Sequence, residues 1–222
     1  EIPRRFGRYG ITAKAFEREL SCHAPFDIVL MTSGMSYWYP GVQKAIGTIK
    51  GLYPGVPVVL GGAYATLWHE HAAAHSGADF IHKGPIDESI RFIFNTFGLR
   101  LRRSGRERPH YDLGLYPRCR FAAVLTGTGC PFRCAYCASG LLAERFTRRD
   151  VTDVIKELEN LGSRGVTDFS FYDDALLVDA DHHIKVILRE VSGRLRGNRF
   201  HCPNGLHARF LDEELAYLMK RC

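Results

Sequence analysis

Apolar positions along the chain alternate between short continuous runs and stretches with helical spacing. Runs at 27–32, 56–60 and 78–82 are short and rich in Val, Ile, Leu and Phe, which predicts three buried parallel strands. Between them the spacing changes. Residues 12–21 begin on Thr12, a good N-cap, and continue with helix formers. A second helix is predicted over about 39–53, with Val42, Ile46 and Ile49 on one face and Pro54-Gly55 as its stop. A short helix over 68–75 follows, then one over 87–97 with Ile90, Ile93 and Phe94 inward. The same alternation returns later. Strands are predicted at 121–126, 166–172 and 199–204. Helices are predicted at 148–161 (Val151, Val154, Ile155, Leu158, Leu161), 182–195 (Ile184, Ile187, Leu188, Val191) and 212–220.

Strands alternating with helices define an α/β protein with parallel sheets, whose ligands meet the carboxyl ends of the strands. The residues after those ends are Ser33-Gly34-Met35, Gly61-Gly62 and Gly84 in the first half, and Asp173-Asp174 and Asn204 in the second. Between the halves, 98–117 turns to Arg, Gly, Pro and Tyr, the composition of a boundary. The chain therefore divides into a doubly wound domain over 1–98, a linker over 99–118 and a second α/β domain over 119–222.

A hydrophobic content of 45% and an aromatic content of 12% are those of a globular protein. No apolar run approaches the roughly 20 residues of a membrane span. The first residues lack the apolar segment of a signal peptide, so a cytoplasmic, non-membrane protein is expected. There is no initiating Met, and the last residues fall inside a helical pattern. The expectation is a piece of a longer protein, incomplete at both ends and inactive by itself. The net charge of +6 is concentrated at Arg100, Arg102, Arg103, Arg106 and Arg108. Few aromatics interleave this cluster and Ser104-Gly105 interrupts it, which favours a solvated linker over an RNA-binding stripe.

The chemistry concentrates in Gly127-Thr128-Gly129-Cys130-Pro131-Phe132-Arg133-Cys134-Ala135-Tyr136-Cys137. Seven cysteines without an export signal argue for thiolate chemistry rather than a disulfide framework. The spacing C-x3-C-x2-C, in a loop directly after a strand, can turn three thiolates toward one point, which suits a soft metal or an iron–sulfur cluster. A structural zinc would want a fourth ligand at short spacing, and none follows before Cys202. A four-iron cluster on three cysteines leaves one iron open. Elsewhere, His71 and His75 stand at i, i+4 near His69 but lack the H-E-x-x-H pattern and a third ligand, so a solvated, helix-capping role is expected. Cys202 reads as a buried thiol, and Cys22 and Cys119 lack partners at metal spacing.

With Tyr136 as the aromatic before the third cysteine, the loop resembles the radical S-adenosylmethionine superfamily. That resemblance implies a [4Fe-4S] cluster on Cys130, Cys134 and Cys137, with S-adenosylmethionine on the open iron and Tyr136 against its adenine. It also implies that Asp173 or Asp174 takes the amino group of S-adenosylmethionine, although either would equally cap the following helix. Asn204 would line the cavity, or simply form a turn with Gly205. The second half would then be the first half of a partial (β/α)6 barrel. Residues 27–97 resemble the back part of a Rossmann-like cobalamin-binding domain, whose N-terminal part is missing here. There Ser33, Met35, Gly61, Gly62 and Gly84 would border the corrinoid, with Met35 in place of the usual Leu. Such glycines also serve tight turns, but a side chain at Gly61-Gly62 would block a ligand at the backbone.

The function implied is an enzyme that cleaves S-adenosylmethionine to a 5′-deoxyadenosyl radical, with cobalamin as second cofactor. Methyl transfer to a small-molecule substrate is the expected reaction, and an electron donor such as flavodoxin or ferredoxin the expected partner. The alternatives are a radical enzyme whose first domain has lost the corrinoid, doing rearrangement or cyclisation chemistry, and a metal-stabilised nucleic-acid-binding module. Nucleic acid is not the expected partner.

Overall fold

The computed structural model describes residues 10–86, 89–101 and 119–222. Arg102, Arg103, Arg106 and Arg108, and most of the expected linker, lie outside them. The chain forms two compact units, Glu1–Leu101 and Arg102–Cys222.

In the first unit the order is α1 (Ala13–His23), β1 (Val29–Ser33), a 3-10 turn (Ser36–Trp38), α2 (Tyr39–Leu52), β2 (Val58–Gly61), α3 (Gly62–Leu67), α4 (His69–His75), β3 (Phe80–Ile81) and α5 (Ser89–Thr96). Helix α1 starts where the Thr12 hydroxyl accepts the Ala15 N–H at 3.2 Å. The strands form one parallel sheet in the order β1-β2-β3, with Val29 opposite Val58 and Val59 opposite Phe80. Val58 and Leu60 of β2 are buried together with Val42, Ile46 and Ile49 of α2. Removing each such side chain from water stabilises the unit by about 1.5–3 kcal/mol.

The second unit runs β4 (Phe121–Val124), β5 (Gly127–Thr128), α6 (Ser139–Leu142), β6 (Thr147–Arg148), α7 (Val151–Ser163), β7 (Asp168–Phe171), α8 (Ile184–Arg194), β8 (Arg199–His201) and α9 (Glu213–Arg221), with 3-10 turns at Ala180–His182 and Ala208–Phe210. Strands β4, β7 and β8 form a parallel sheet in the order β4-β7-β8. Strands β5 and β6 make a separate antiparallel pair. Alternation along the sheet is strict. Ala122, Val124, Phe169 and Phe171 are buried in a core with Val154, Leu158, Ile187 and Leu188, while Phe121 on the other face is 69% exposed. Buried Lys185 of α8 ties in α9 through Asp212 at 2.6 Å and Glu214 at 3.1 Å.

The mixed α/β class with parallel sheets stands as expected, and the helical faces named from the sequence are the buried ones. Several elements differ. Residues 62–67 are a helix, α3, separated from α4 by a break at Trp68. Helix α7 starts at Val151 rather than 148, because the Asp150 carboxylate caps it by accepting the N–H groups of Thr152 and Asp153. That leaves Thr147 and Arg148 free to pair with β5. Strand β8 ends at His201, so Cys202 and Asn204 belong to the following turn.

Candidate functional site

Beyond the carboxyl ends of β7 and β8, the second unit holds a cleft of about 550 Å³ lined by Cys130, Cys134 and Cys137. Tyr136 and Asp174 line it, as do residues 175–178 after β7 and residues 204–208 after β8. The cysteine loop leaves β5 through Gly129, which has φ +75° and lies against the Arg145 carbonyl. A Cβ there would come 2.5 Å from that oxygen, so only glycine lets the loop turn away from the β5–β6 pair at this point. Within the loop, the Cys137 N–H donates to the Cys134 carbonyl at 3.0 Å. Cys134, Tyr136 and Cys137 are exposed, Tyr136 at 93%.

Among the described residues, no three His, Cys, Asp or Glu side chains converge closely enough to hold a metal ion. The three sulfurs thus share one cleft rather than one point. Three soft thiols are a donor set that suits iron, and no Lys or Arg among the described residues lines the cleft they share. Cys137 Sγ lies 3.2 Å from the Ser139 hydroxyl and accepts the Ser139 N–H at 3.5 Å. Those two contacts hold its thiol below the ordinary cysteine range, against the opposing charge of Asp174. Ser139 was not singled out from the sequence, though a hydroxyl two residues past a ligand cysteine is a legible signal.

The two candidate aspartates part company. Asp173 is buried, and its carboxylate accepts the Thr126 N–H at 3.1 Å and the Thr126 hydroxyl at 2.7 Å. Asp174 lines the cleft and is exposed. Asn204 lines the cleft while its amide donates to the Tyr172 carbonyl at 2.7 Å, joining the ends of β7 and β8. An unexpected aromatic group anchors the cysteine loop. The Phe132 ring stacks on Phe210 at 5.9 Å and leans on His207 at 5.1 Å, with the Arg209 guanidinium 5.5 Å above it.

In the first unit, Ser33 is buried and its hydroxyl donates to the Met35 carbonyl at 2.8 Å, while the Met35 side chain is 47% exposed. Gly61 is buried at the end of β2. Gly62 has φ +86°, and a Cβ on it would lie 2.5 Å from Thr32 Oγ1 and 2.6 Å from the Ser33 carbonyl. The close approach expected at Gly62 is therefore made by β1 of this chain. Gly84 caps a turn, its N–H donating to Thr66 Oγ1 at 3.0 Å, with open space where a Cβ would stand. His71 is half-buried rather than solvated: its Nδ1 meets the Tyr64 hydroxyl at 2.7 Å and its ring packs 4.6 Å from that of His75. Cys202 is half-buried, and burial pushes its thiol up.

The fold and this cleft define an α/β protein with a cysteine-lined site at the carboxyl ends of parallel strands. No family model matches the chain. It is 26% identical over 197 residues to an uncharacterized methyltransferase, PH0819, of Pyrococcus horikoshii, across 73% of this chain and 43% of that protein. It is 31% identical over 94 residues to the tryptophan 2-C-methyltransferase of Streptomyces laurentii, across 42% of this chain and 16% of that enzyme. Among solved structures it is similar to the radical S-adenosylmethionine methyltransferase TsrM of Kitasatospora setae. The TM-score is 0.71 with the structure that holds tryptophan and the analogue aza-SAM, at 20% identity, across 94% of this chain and 49% of TsrM. It is 0.69 with the structure that holds cobalamin and a [4Fe-4S] cluster, also at 20% identity, across 92% and 49%. The likeness shows a shared fold. The chain spans less than half the length of each of these relatives. No described helix is long and apolar enough to cross a membrane.

Proposed function

We propose that the cleft of the second unit is a radical S-adenosylmethionine site and that the protein is a methyltransferase acting on a small molecule, with cobalamin as its second cofactor. The observation that carries this reading is the presence of Cys130, Cys134, Cys137, Tyr136 and Asp174 on one cleft at the carboxyl ends of parallel strands. Similarity to TsrM, whose structures hold S-adenosylmethionine's analogue, cobalamin and a [4Fe-4S] cluster, supports it. When bound, the cluster supplies the electron that cleaves the sulfonium and the corrinoid supplies the methyl group.

This chain's residues bind and orient. The three thiolates hold iron, and the exposure of Cys134 and Cys137 leaves the loop free to draw them together as it does so. Ser139 keeps Cys137 toward its thiolate form. Asp174 presents a carboxylate to a bound ammonium, and Tyr136 a ring face to an adenine. Asp173, Thr126 and Asn204 fix the strand ends behind them. In the first unit, exposed Met35 and half-buried Gly84 offer surface beyond strand ends to a corrinoid, with Ser33, Gly61 and Gly62 shaping the backbone beneath. The first unit would thus be a cobalamin-binding domain and the second the first half of a partial (β/α)6 barrel. A flavodoxin or ferredoxin would supply reducing equivalents.

Anaerobic reconstitution with iron and sulfide tests the reading. About four iron and four sulfide per protein are expected, lost in Cys134→Ala together with S-adenosylmethionine binding. Unchanged iron content in that variant would sink the assignment. A protein that takes up the cluster but stays free of corrinoid absorbance after refolding with hydroxocobalamin would remove the second cofactor only.

A further inference from the structure

Arg148 joins two walls of the cleft. Its backbone lies in β6 opposite Gly127 of β5, the strand that leads through Gly129 to Cys130. Its side chain reaches the turn after β7. There the guanidinium donates to the carbonyls of Ala175 at 3.3 Å, Leu176 at 3.1 Å and Val178, all three residues lining the cleft. The Ala175 carbonyl also accepts the Val178 N–H at 3.2 Å within the turn, and Nη2 of the guanidinium is the donor common to all three.

Arg148 is itself held in place. Its Nη1 stands 3.2 Å from Nδ1 of His183, while Nε2 of the same ring stands 3.2 Å from the Arg149 carbonyl. With Nε2 donating to that carbonyl, Nδ1 is left with a lone pair for the arginine. The ring is buried, and burial beside the Arg148 charge holds it below the ordinary histidine range, hence neutral. The carboxylates of Asp173 and Asp179 offset the guanidinium's desolvation. A charged, half-buried arginine so placed is costly unless its contacts are kept together.

We propose that Arg148 is a positioning residue for the cleft's ligand: by clamping the turn 175–178 to the stem of the cysteine loop, it sets the gap in which S-adenosylmethionine is held. This rests on the reading of the cleft given above. Lysine could not substitute, because the carbonyls meet Nη2 while His183 meets Nη1, and the single nitrogen of an ammonium cannot stand at both places.

The test compares the protein with its Arg148→Met and Arg148→Lys variants in three measurements. These are backbone hydrogen exchange over 173–180, iron after anaerobic reconstitution, and the dissociation constant for S-adenosylmethionine on cluster-loaded protein. Both variants are expected to raise exchange in that segment about tenfold and weaken binding about tenfold, with iron content unchanged. Low millimolar guanidinium should restore binding in Arg148→Gly, where ammonium should not. Unchanged exchange in both substituted proteins would overturn the proposal, as would raised exchange with binding within a factor of two of wild type. If wild-type protein takes up the cluster and binds no S-adenosylmethionine, the functional reading fails first, and the loss is visible before any substitution. Should the methionine variant not fold, the lysine variant decides.

Discussion

The Asp173 carboxylate grips Thr126 twice, taking its N–H at 3.1 Å and its hydroxyl at 2.7 Å, 47 residues apart in sequence. The grip fastens the end of β7 to the chain just beyond β4, immediately before the cysteine loop begins. It also separates two adjacent carboxylates, Asp173 facing inward and Asp174 lining the cleft.

The two aspartates should therefore fail differently. Asp173→Ala leaves a buried N–H and hydroxyl without their acceptor, and is expected to lower stability by about 2–3 kcal/mol. Asp174→Asn should leave the urea midpoint where it is and weaken S-adenosylmethionine binding about tenfold. Urea unfolding and calorimetric titration separate the two. Equal destabilisation by both would contradict the assignment.

Gly62 gives the second prediction. Its missing Cβ faces Thr32 Oγ1 and the backbone of Ser33, and its φ of +86° is strained for any other residue. Gly62→Ala should therefore cost the first unit about 3 kcal/mol or more through its own packing. Gly84→Ala meets nothing within 4 Å and carries only the strain of φ +88°, about 1 kcal/mol. Chemical denaturation ranks them. If Gly62→Ala is as stable as wild type yet fails to bind hydroxocobalamin, the glycine serves the ligand and not the strand.

Much of this was readable beforehand, and the reason is periodicity. Val42, Ile46 and Ile49, and likewise Ile184, Ile187, Leu188 and Val191, repeat at helical spacing because one face is buried, so those helices and their inner faces follow from the pattern. The cysteine loop follows from spacing. What escaped was set by contacts across the fold. Arg148 sits beside a run that looks helical from 148 on, and only the cap at Asp150 releases it into β6. The two-residue strands β5 and β6 carry no period at all. Asp173 and Asp174 are identical in composition terms, and which one turns inward depends on the strand's alternation and on Thr126. The Gly61-Gly62 pair read as a corrinoid border or a tight turn, while the chain uses it to start α3 against β1.

Cys137 should titrate visibly. Contacts from Ser139 lower its thiol pKa, so the thiolate is populated at a lower pH than an ordinary cysteine would allow. In cluster-free protein, alkylation of Cys137 by iodoacetamide should reach half its maximal rate below the usual cysteine pH. The profile should move to higher pH in Ser139→Ala, which removes the hydroxyl but keeps the N–H. Asp174→Asn should move it the other way, since the Asp174 charge opposes the thiolate. Peptide mass spectrometry across a pH series reads both. Profiles that coincide in all three proteins would mean that the Ser139 contact does not act on the sulfur.

The last prediction concerns the loop's anchor rather than its ligands. Cys130 and Cys134 flank Phe132, whose ring is the loop's contact with the segment after β8: stacked on Phe210 at 5.9 Å and against His207 at 5.1 Å. Aromatic pairs of this kind are worth about 0.5–1.5 kcal/mol each beyond their burial. A loop whose thiols do not yet converge depends on such a contact to limit where they can go. Phe132→Ala keeps every ligand but frees the loop from that segment, so the cluster should assemble and then be lost faster. The expected effect is about a tenfold rise in the rate of iron release to an excess of chelator, for about 1.4 kcal/mol of anchoring. Phe132→Tyr keeps the ring and should release iron at the wild-type rate. His207→Ala removes one partner and should fall between them. If Phe132→Ala holds iron as long as wild type, the aromatic group is incidental to the cysteine loop, and the thiolates alone determine how firmly the site retains its metal.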